Sequence, residues 1–243
     1  MESVSGNKHH MRHLVIETSA YEKLRSTGAR GEMLSTITAN SALTTFDLER
    51  NSVRDNGALA LSEALKTNST LMTLNLMRNW IGDNGAQALS EALKTNSTLT
   101  TLDLVNNLIG DLGAQALSEA LKINSTLALL NLGHNWIREN GSQELSEALK
   151  TNSTLTTLGL RYNSIGENGV QALSEALKTN SIGNPGAQML SEALKTKSIL
   201  TTLDLENNPF GRHGAQPLAK AVESNSTCVI KRVGWIYKLN TVV

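Results

Sequence analysis

Residues Leu99–Thr126 read LTTLDLVNNLIGDLGAQALSEALKINST, and close copies of this segment fill most of the chain. Asn107 within it has a counterpart 28 residues away in the neighbouring copy. A constant period of about 20–29 residues with the core L-x-x-L-x-L-x-x-N is typical of a solenoid, in which each unit buries its apolar side against the next. The period therefore predicts a stack of repeats. The asparagines of this ladder are Asn51, Asn79, Asn107, Asn135, Asn163 and, after a break in the period, Asn208.

Each repeat is predicted to form one strand and one helix. In the copy that starts at Leu71, residues Thr73–Leu76 alternate between polar and apolar, which is the period of a strand. Asn79 follows at the turn, where an asparagine side chain bonds the backbone well. A helix is expected to begin near Asp83, a residue type that caps helix N-termini. Its apolar stripe consists of Gly85, Leu89, Ala92 and Leu93.

Stacking of such units predicts an α/β solenoid shaped like a horseshoe, with parallel strands on the concave face and helices on the convex face. Residues 1–20 are expected to be a loose N-terminal tail and 21–42 a degenerate helical cap. Residues 43–227 form the repeat domain. Residues 228–243 are expected to be a C-terminal strand or cap, because Cys228 occupies the leading leucine position. The six full repeats begin at Leu43, Leu71, Leu99, Leu127, Leu155 and Leu200.

The period breaks once. Asn163 is followed in phase by Asn180 after a shortened interval, and the interval from Asn180 to Asn208 is again one full period. The missing stretch has the length of STLTTLGLRYN, a strand and its turn, so residues near 181–199 form a half repeat without a strand. This predicts a seam near Asn180 where strand spacing or helix packing departs from the regular curve. A functional hinge and a recombination or gene-model error between similar repeats are both open explanations.

The repeat unit LxxLxLxxNxIGxxGAxALSEALKxNxxL resembles the ribonuclease-inhibitor type of leucine-rich repeat. It is similar to the C-terminal repeats of NOD-like receptors, and the same repeat type occurs in Ran GTPase-activating proteins. The resemblance implies a leucine-rich repeat solenoid that binds other proteins. The phosphate-binding motif G-x-x-x-x-G-K-[ST] is missing from the chain, so nucleotide hydrolysis is not carried over.

The repeats differ mainly in the residues that flank the ladder asparagine. These positions are expected on the concave face and its rim, and Trp, Tyr and Arg are the residue types that most often anchor interfaces. The opposite interpretation is that Trp80, Leu108 and Trp136 pack together as a ridge that seals the rim. The candidate partner-binding residues are Arg50, Met77, Arg78, Trp80, Leu108, His134, Trp136, Arg161 and Tyr162.

Composition narrows the possible functions. Lys+Arg and Asp+Glu both number 22, and this balance does not favour nucleic acid as a partner. A single cysteine excludes an internal disulfide framework. The N-terminus lacks the apolar run of a signal peptide and no stretch is long enough to span a membrane, so a cytoplasmic location is expected. Asn68, Asn96, Asn124, Asn152 and Asn225 begin N-S-T tripeptides, which are interpreted as turns of the repeat rather than glycosylation sites.

No catalytic constellation, metal site or cofactor site is predicted. The favoured function is a non-catalytic interaction scaffold that binds another protein through its concave face. A receptor-like sensor fragment is the more specific form of this hypothesis. A regulator of a small GTPase is the first alternative, and an inert product of repeat expansion is the second. The sequence leaves the oligomeric state open.

Overall fold

The computed structural model describes residues 13–15, 42–180, 200–224 and 228–231. In these ranges it contains eight three-residue strands and six helices. The strands are β1 (His13–Val15), β2 (Thr45–Asp47), β3 (Thr73–Asn75), β4 (Thr101–Asp103), β5 (Leu129–Asn131), β6 (Thr157–Gly159), β7 (Thr202–Asp204) and β8 (Val229–Lys231). The helices are α1 (Arg54–Thr67), α2 (Asp83–Leu93), α3 (Asp111–Leu121), α4 (Glu139–Thr151), α5 (Glu167–Asn180) and α6 (Gly211–Ser224).

All eight strands form one parallel sheet in chain order. Neighbouring strands pair at equivalent positions, as in Thr73↔Thr101 and Leu74↔Leu102. The central residue of each strand from β2 to β7 is buried, and its two neighbours lie on the opposite face, which we call the strand face. Each helix packs against the helix of the next repeat. The predicted α/β solenoid is therefore confirmed.

Between the two layers lies a continuous core of leucine, isoleucine and alanine. Close packing of the helix onto this core requires glycine at the start of the helix. A Cβ on Gly85 would lie 2.6 Å from Cγ2 of Ile81 and 3.1 Å from Cβ of Ala58. Gly113 repeats this arrangement against Ile109, so a small residue at this position of the apolar stripe allows the helix to pack closely.

The asparagine ladder links each turn to the one before it. Oδ1 of Asn107 accepts the backbone N–H groups of Asn79 and Ile81 at 3.1 and 3.0 Å. Its Nδ2 donates to the carbonyls of Leu76 and Leu104 at 3.0 and 2.9 Å. Because buried backbone groups are costly when unpaired, one asparagine per repeat stabilises two turns at once.

A second asparagine ladder runs along the other edge of the sheet, where helices lead into strands. Nδ2 of Asn124 donates to the carbonyls of Leu93 and Asn96 at 2.8 and 3.1 Å, while Oδ1 accepts the N–H of Leu127 at 2.8 Å. Asn96 and Asn152 make the same contacts one repeat away. The asparagines of these three N-S-T tripeptides are buried and their amide nitrogens are already bonded, which supports their interpretation as turn residues.

Helix capping crosses from one repeat to the next. Helix α2 begins at Asp83 as predicted. The residue at its N-cap position is Gly82, which has no side chain that could cap the helix. Oδ1 of Asp83 instead accepts the N–H groups of Gly110 and Gly113, at the start of α3. The prediction that Asp83 caps its own helix is therefore wrong, because the stacking brings its carboxylate closer to the next helix.

The strand ladder shows no seam at the break in the period. β6 pairs with β7 in the usual register, Leu158↔Leu203, and α5 packs against α6. The hydroxyl of Thr201 donates to the carbonyl of Thr156, and these two residues are 45 positions apart in sequence. The equivalent bond from Thr100 to Met72 joins residues that are 28 positions apart. The longer connection leaves the sheet unchanged, and the predicted half repeat near 181–199 lies outside the described residues.

Two short strands extend the sheet at its ends. β1 lies within residues 1–20, where the sequence analysis expects a loose tail, and pairs with β2 through His13↔Thr45. Its three residues are too few for the alternating pattern to be recognised. At the other end Cys228 is buried and β8 follows it, pairing with β7. The predicted helical cap over 21–42 lies outside the described residues except for Ala42.

Candidate functional site

A row of six residues, one before each ladder asparagine, shares a left-handed backbone conformation with φ between 53° and 59°. Asparagine adopts this conformation readily, whereas for other side chains it costs roughly 1–2 kcal/mol. Only two of the six are asparagine, so four large side chains stand on backbone that would favour a smaller residue. We call these residues the turn row: Arg50, Arg78, Asn106, His134, Tyr162 and Asn207.

The hydrogen bonds of each turn explain why this conformation is kept. Oδ1 of Asp103, the last residue of β4, accepts the N–H of Val105 at 2.9 Å. The N–H of Asn106 then donates to the carbonyl of Gly133 at 2.9 Å. Because equivalent bonds recur from repeat to repeat, the stack fixes the backbone conformation whatever side chain is present. The same side-chain bond at the strand end is made by Asp47, Asn75, Asn131 and Asp204.

Two turn-row side chains of adjacent repeats stack on each other. The rings of His134 and Tyr162 lie 4.0 Å apart between centroids and are inclined by 15°. Beside them Arg161 passes over Gly133, where an added Cβ would lie only 2.9 Å from Cγ of Arg161. A side chain at 133 would displace this arginine. The fourth and fifth repeats therefore present an aromatic and cationic platform next to the strand face.

Charges of both signs surround this platform. Burial, together with the nearby cations Arg161 and Arg78, lowers the pKa of His134 below its ordinary value. Burial raises the pKa of Asp103, although its hydrogen bonds and Arg161 act in the opposite direction. The carboxylate of Glu49 forms ion pairs with Arg50 at 3.4 Å and with Arg78 at 3.6 Å. Alternating charges of this kind match the surface of a protein better than a uniformly charged polymer.

A separate groove lies at the edge of the sheet where strands lead into helices. It is open to solvent, has a volume of about 570 Å³, and runs between the first halves of α1 and α2. Trp80 is 61% exposed and stands in the left-handed conformation with φ 59°. The groove lining includes Arg54, Asp55, Leu59, Trp80, Asn84 and Leu108.

The structure thus separates eight of the nine predicted site residues into two groups. Arg50, Arg78, His134 and Tyr162 belong to the turn row, and Met77 and Arg161 directly precede it on the strand-face side. Trp80 and Leu108 line the groove instead. Trp136 is 64% exposed, and like Trp80 it is not sealed into a rim.

The list of candidate partner-binding residues leaves out several residues of both surfaces. Glu49 and Asp103 contribute charge to the strand face, and Arg54 and Leu59 line the groove. Glu49 precedes Arg50 in the variable segment, so its charge was a usable signal. The sequence carries no comparable signal for the groove, because the lining combines positions from the turns and helices of three repeats.

Metal binding and thiol reactivity can be assessed in the part of the chain that the structure describes. Those residues contain no group of three or more His, Cys, Asp or Glu side chains suited to a metal ion. Burial raises the pKa of the Cys228 thiol to about 11, so the thiol stays protonated at neutral pH. Among the described helices, none combines the length and apolar character needed to span a bilayer.

A family model described as Leucine Rich repeat matches residues 39–62, 67–90, 95–118, 151–174 and 197–219. The chain thus carries leucine-rich repeats, and its fold is a leucine-rich repeat solenoid. Residues 119–150 lie between matched copies, yet β5 and α4 continue the same architecture there. No curated protein matches the sequence.

Two solved structures are similar to this fold. One is leiomodin-1 actin-binding site 2, with 22% identity and a TM-score of 0.52, covering 67% of this chain and 95% of that chain. The other is a tropomodulin C-terminal domain of Caenorhabditis elegans, with 16% identity and a TM-score of 0.53, covering 68% of this chain and 98% of that chain. Leucine-rich repeat domains are protein-interaction scaffolds, and at these identities the likeness is one of fold.

Proposed function

We propose that this protein is a non-catalytic scaffold that binds another protein through the strand face and the turn row beside it. The observation that carries the proposal is the choice of residues in the turn row. Arg50, Arg78, His134 and Tyr162 occupy strained backbone positions where Asn106 and Asn207 show that asparagine fits. Strain kept at a surface position is typical of a functional site.

The types of side chain support the same proposal. Arginine and tyrosine are enriched among the residues that contribute most to interface affinity. The stacked rings of His134 and Tyr162 are held in place before any partner binds, which lowers the entropy lost on association. Arg78 is held similarly by its ion pair with Glu49.

The test uses asparagine instead of alanine at turn-row positions. His134→Asn and Tyr162→Asn remove the side chains while keeping a residue that suits the backbone, so loss of binding cannot be attributed to a broken turn. The purified protein is used to isolate a partner, which is then titrated against both variants by calorimetry. We expect at least a tenfold weaker Kd for the double variant. An unchanged Kd would refute the strand-face site.

A matched control removes two charges from the helix layer on the opposite side of the sheet. Lys122 and Glu119 form an exposed pair on α3 at 2.6 Å, and replacing both with glutamine should leave the Kd unchanged. Equal losses for the control and for the turn-row variant would place the binding surface on the helices instead.

Purified actin is a direct first probe, because one of the similar structures is an actin-binding domain. The resemblance to NOD-like receptor repeats supports a second proposal, in which the chain acts as a cytoplasmic sensor fragment. Regulation of a small GTPase is tested by measuring GTP hydrolysis with and without the protein. Acceleration of that hydrolysis would favour the GTPase alternative over a passive scaffold.

A further inference from the structure

We propose that the groove beside Trp80 binds a short exposed segment of a partner protein in which a bulky apolar residue stands next to an acidic residue. This site is distinct from the strand face, since its lining comes from the turns and the first halves of α1 and α2. It would give the scaffold a second contact, and it does not depend on whether the turn row binds.

The apolar part of the groove suits one large side chain. Trp80 is 61% exposed and Leu59 is 52% exposed, and both line the same concavity as Leu108. Single exposed apolar residues are common on protein surfaces, but several that converge in one concavity mark a binding site more often. The volume of about 570 Å³ lies within the usual range for ligand sites, roughly 300–1,000 Å³. Because the groove is open to solvent, it suits a peptide segment better than a small molecule that needs an enclosed pocket.

The backbone at Trp80 adds a separate indication. Its φ of 59° is unfavourable for a bulky side chain, whereas the equivalent residues Leu108 and Trp136 are not left-handed. Ser52 shares the conformation at the equivalent position of the first repeat, so a small residue fits there. The indole is therefore presented to the groove in spite of local strain.

Charge identifies the second feature of the occupant. Oδ1 of Asp55 accepts the N–H groups of Gly82 and Gly85 at 2.7 and 3.1 Å, so this carboxylate is engaged in capping α2. Arg54 is exposed, and within residues 42–180 no carboxylate forms an ion pair with it. A segment that places an apolar side chain against Trp80 and a carboxylate against Arg54 would satisfy both groups. Asp55 also lines the groove, but its Oδ1 faces the N–H groups of Gly82 and Gly85, so the exposed guanidinium of Arg54 is the charge that a bound segment would meet first.

The experiment measures binding of two fluorescent peptides by anisotropy. Both have a neutral Gly-Ser background and one central leucine, followed by aspartate in the first peptide and by lysine in the second. We expect the aspartate peptide to bind at least about fivefold more tightly at low salt, with the difference shrinking as ionic strength rises. Equal Kd values for the two peptides would overturn the proposal.

Two variants assign the site. Trp80→Asn keeps a residue that tolerates the left-handed backbone and should weaken binding of the aspartate peptide about tenfold. Arg54→Glu should reverse the preference in favour of the lysine peptide. The control is Trp136→Asn combined with Arg138→Glu, which makes the same substitutions at the equivalent positions two and three repeats along, outside the groove. If the control weakened binding as much as Trp80→Asn does, the groove would not be the site.

The two proposals fail separately. Tyr162→Asn should leave peptide binding unchanged, because Tyr162 is not part of the groove lining. Loss of peptide binding in that variant would contradict a separate groove site, whereas loss of partner binding alone would support the strand face.

Discussion

The carboxylate of Asp83 accepts the backbone N–H of Gly110 at 2.7 Å, so the N-terminus of helix α3 is capped by the repeat before it. Asp55 caps α2 and Asp111 caps α4 in the same way. A helix N-terminus is therefore stable only when its neighbour is in place. This arrangement couples adjacent repeats through hydrogen bonds as well as through the core.

Replacing Asp83 with alanine should lower the free energy of unfolding by about 1–2 kcal/mol, the usual cost of losing a helix cap. The loss falls on the following repeat, so hydrogen exchange should accelerate at Gly110 and Gly113 more than within α2. Urea denaturation and amide exchange measure the two effects. Asn84→Ala, at the exposed neighbouring position, serves as the control and should change stability little. Faster exchange confined to α2 would contradict capping across repeats.

Glu139 is the exception in this series of caps, and shortening it should stabilise the fold. Its Oε1 lies 3.4 Å from the backbone nitrogen of Asn168 and its Oε2 accepts the exposed side-chain Nδ2 of that residue at 3.0 Å, whereas Oδ1 of Asp111 accepts two backbone N–H groups at 2.7 and 3.0 Å. Glu139→Asp restores the side-chain length used by the other repeats. We expect a gain of about 0.5 kcal/mol, within the range for improved caps. Glu147→Asp, on the exposed side of α4, should give no gain in the same urea titration.

Asn124→Ala should be among the more destabilising single changes, at about 3 kcal/mol, because it leaves two buried backbone groups unpaired. The carbonyl of Leu93 and the N–H of Leu127 lose their partners, and each unpaired group costs roughly 1–3 kcal/mol. The exposed neighbour Ser125 offers a matched Ser125→Ala control. A loss below about 1 kcal/mol in thermal denaturation would mean that water replaces the ladder bonds.

The pH dependence of stability should contain a contribution from His134. Burial and the cations Arg161 and Arg78 lower its pKa in the folded state, so the unfolded chain binds a proton at higher pH than the folded chain does. Stability should therefore fall as the pH drops below the ordinary value of 6.5, until His134 is also protonated in the folded state. His134→Asn should flatten this part of the profile.

NMR titration of the His134 ring tests the cause directly. Arg161→Gln removes one of the two cations and should raise the pKa of His134 towards its ordinary value, while burial keeps part of the shift. An unchanged pKa in this variant would mean that Arg161 does not contribute and that burial and Arg78 lower it.

The fold was predictable because every repeat carries the same leucine spacing and the same ladder asparagine. A departure from the pattern in one repeat is outweighed by the other repeats. The side-chain contacts between adjacent repeats were not predictable in the same way. The side chain of Asp83 could cap its own helix or the next, and spacing within one repeat does not distinguish these outcomes. The strain at Arg78 and His134 was also hidden, since neither residue type signals a left-handed turn. The groove escaped prediction because its lining comes from three repeats.

The break in the period gives the most direct test of how the stack tolerates insertions. Deleting residues 181–197 joins Asn180 to Ser198 and gives Thr157 and Thr202 the same spacing in sequence as the other paired strands. Since β6 and β7 already pair in register, and Oδ1 of Asn208 already accepts the N–H of Ile165, the deletion removes no described contact between strands. Shortening the connection should reduce the loop-closure entropy by about 0.4 kcal/mol, so stability should be equal or slightly higher. Urea denaturation with circular dichroism measures this. A marked loss of stability or of cooperativity would show that the deleted segment contributes to the core.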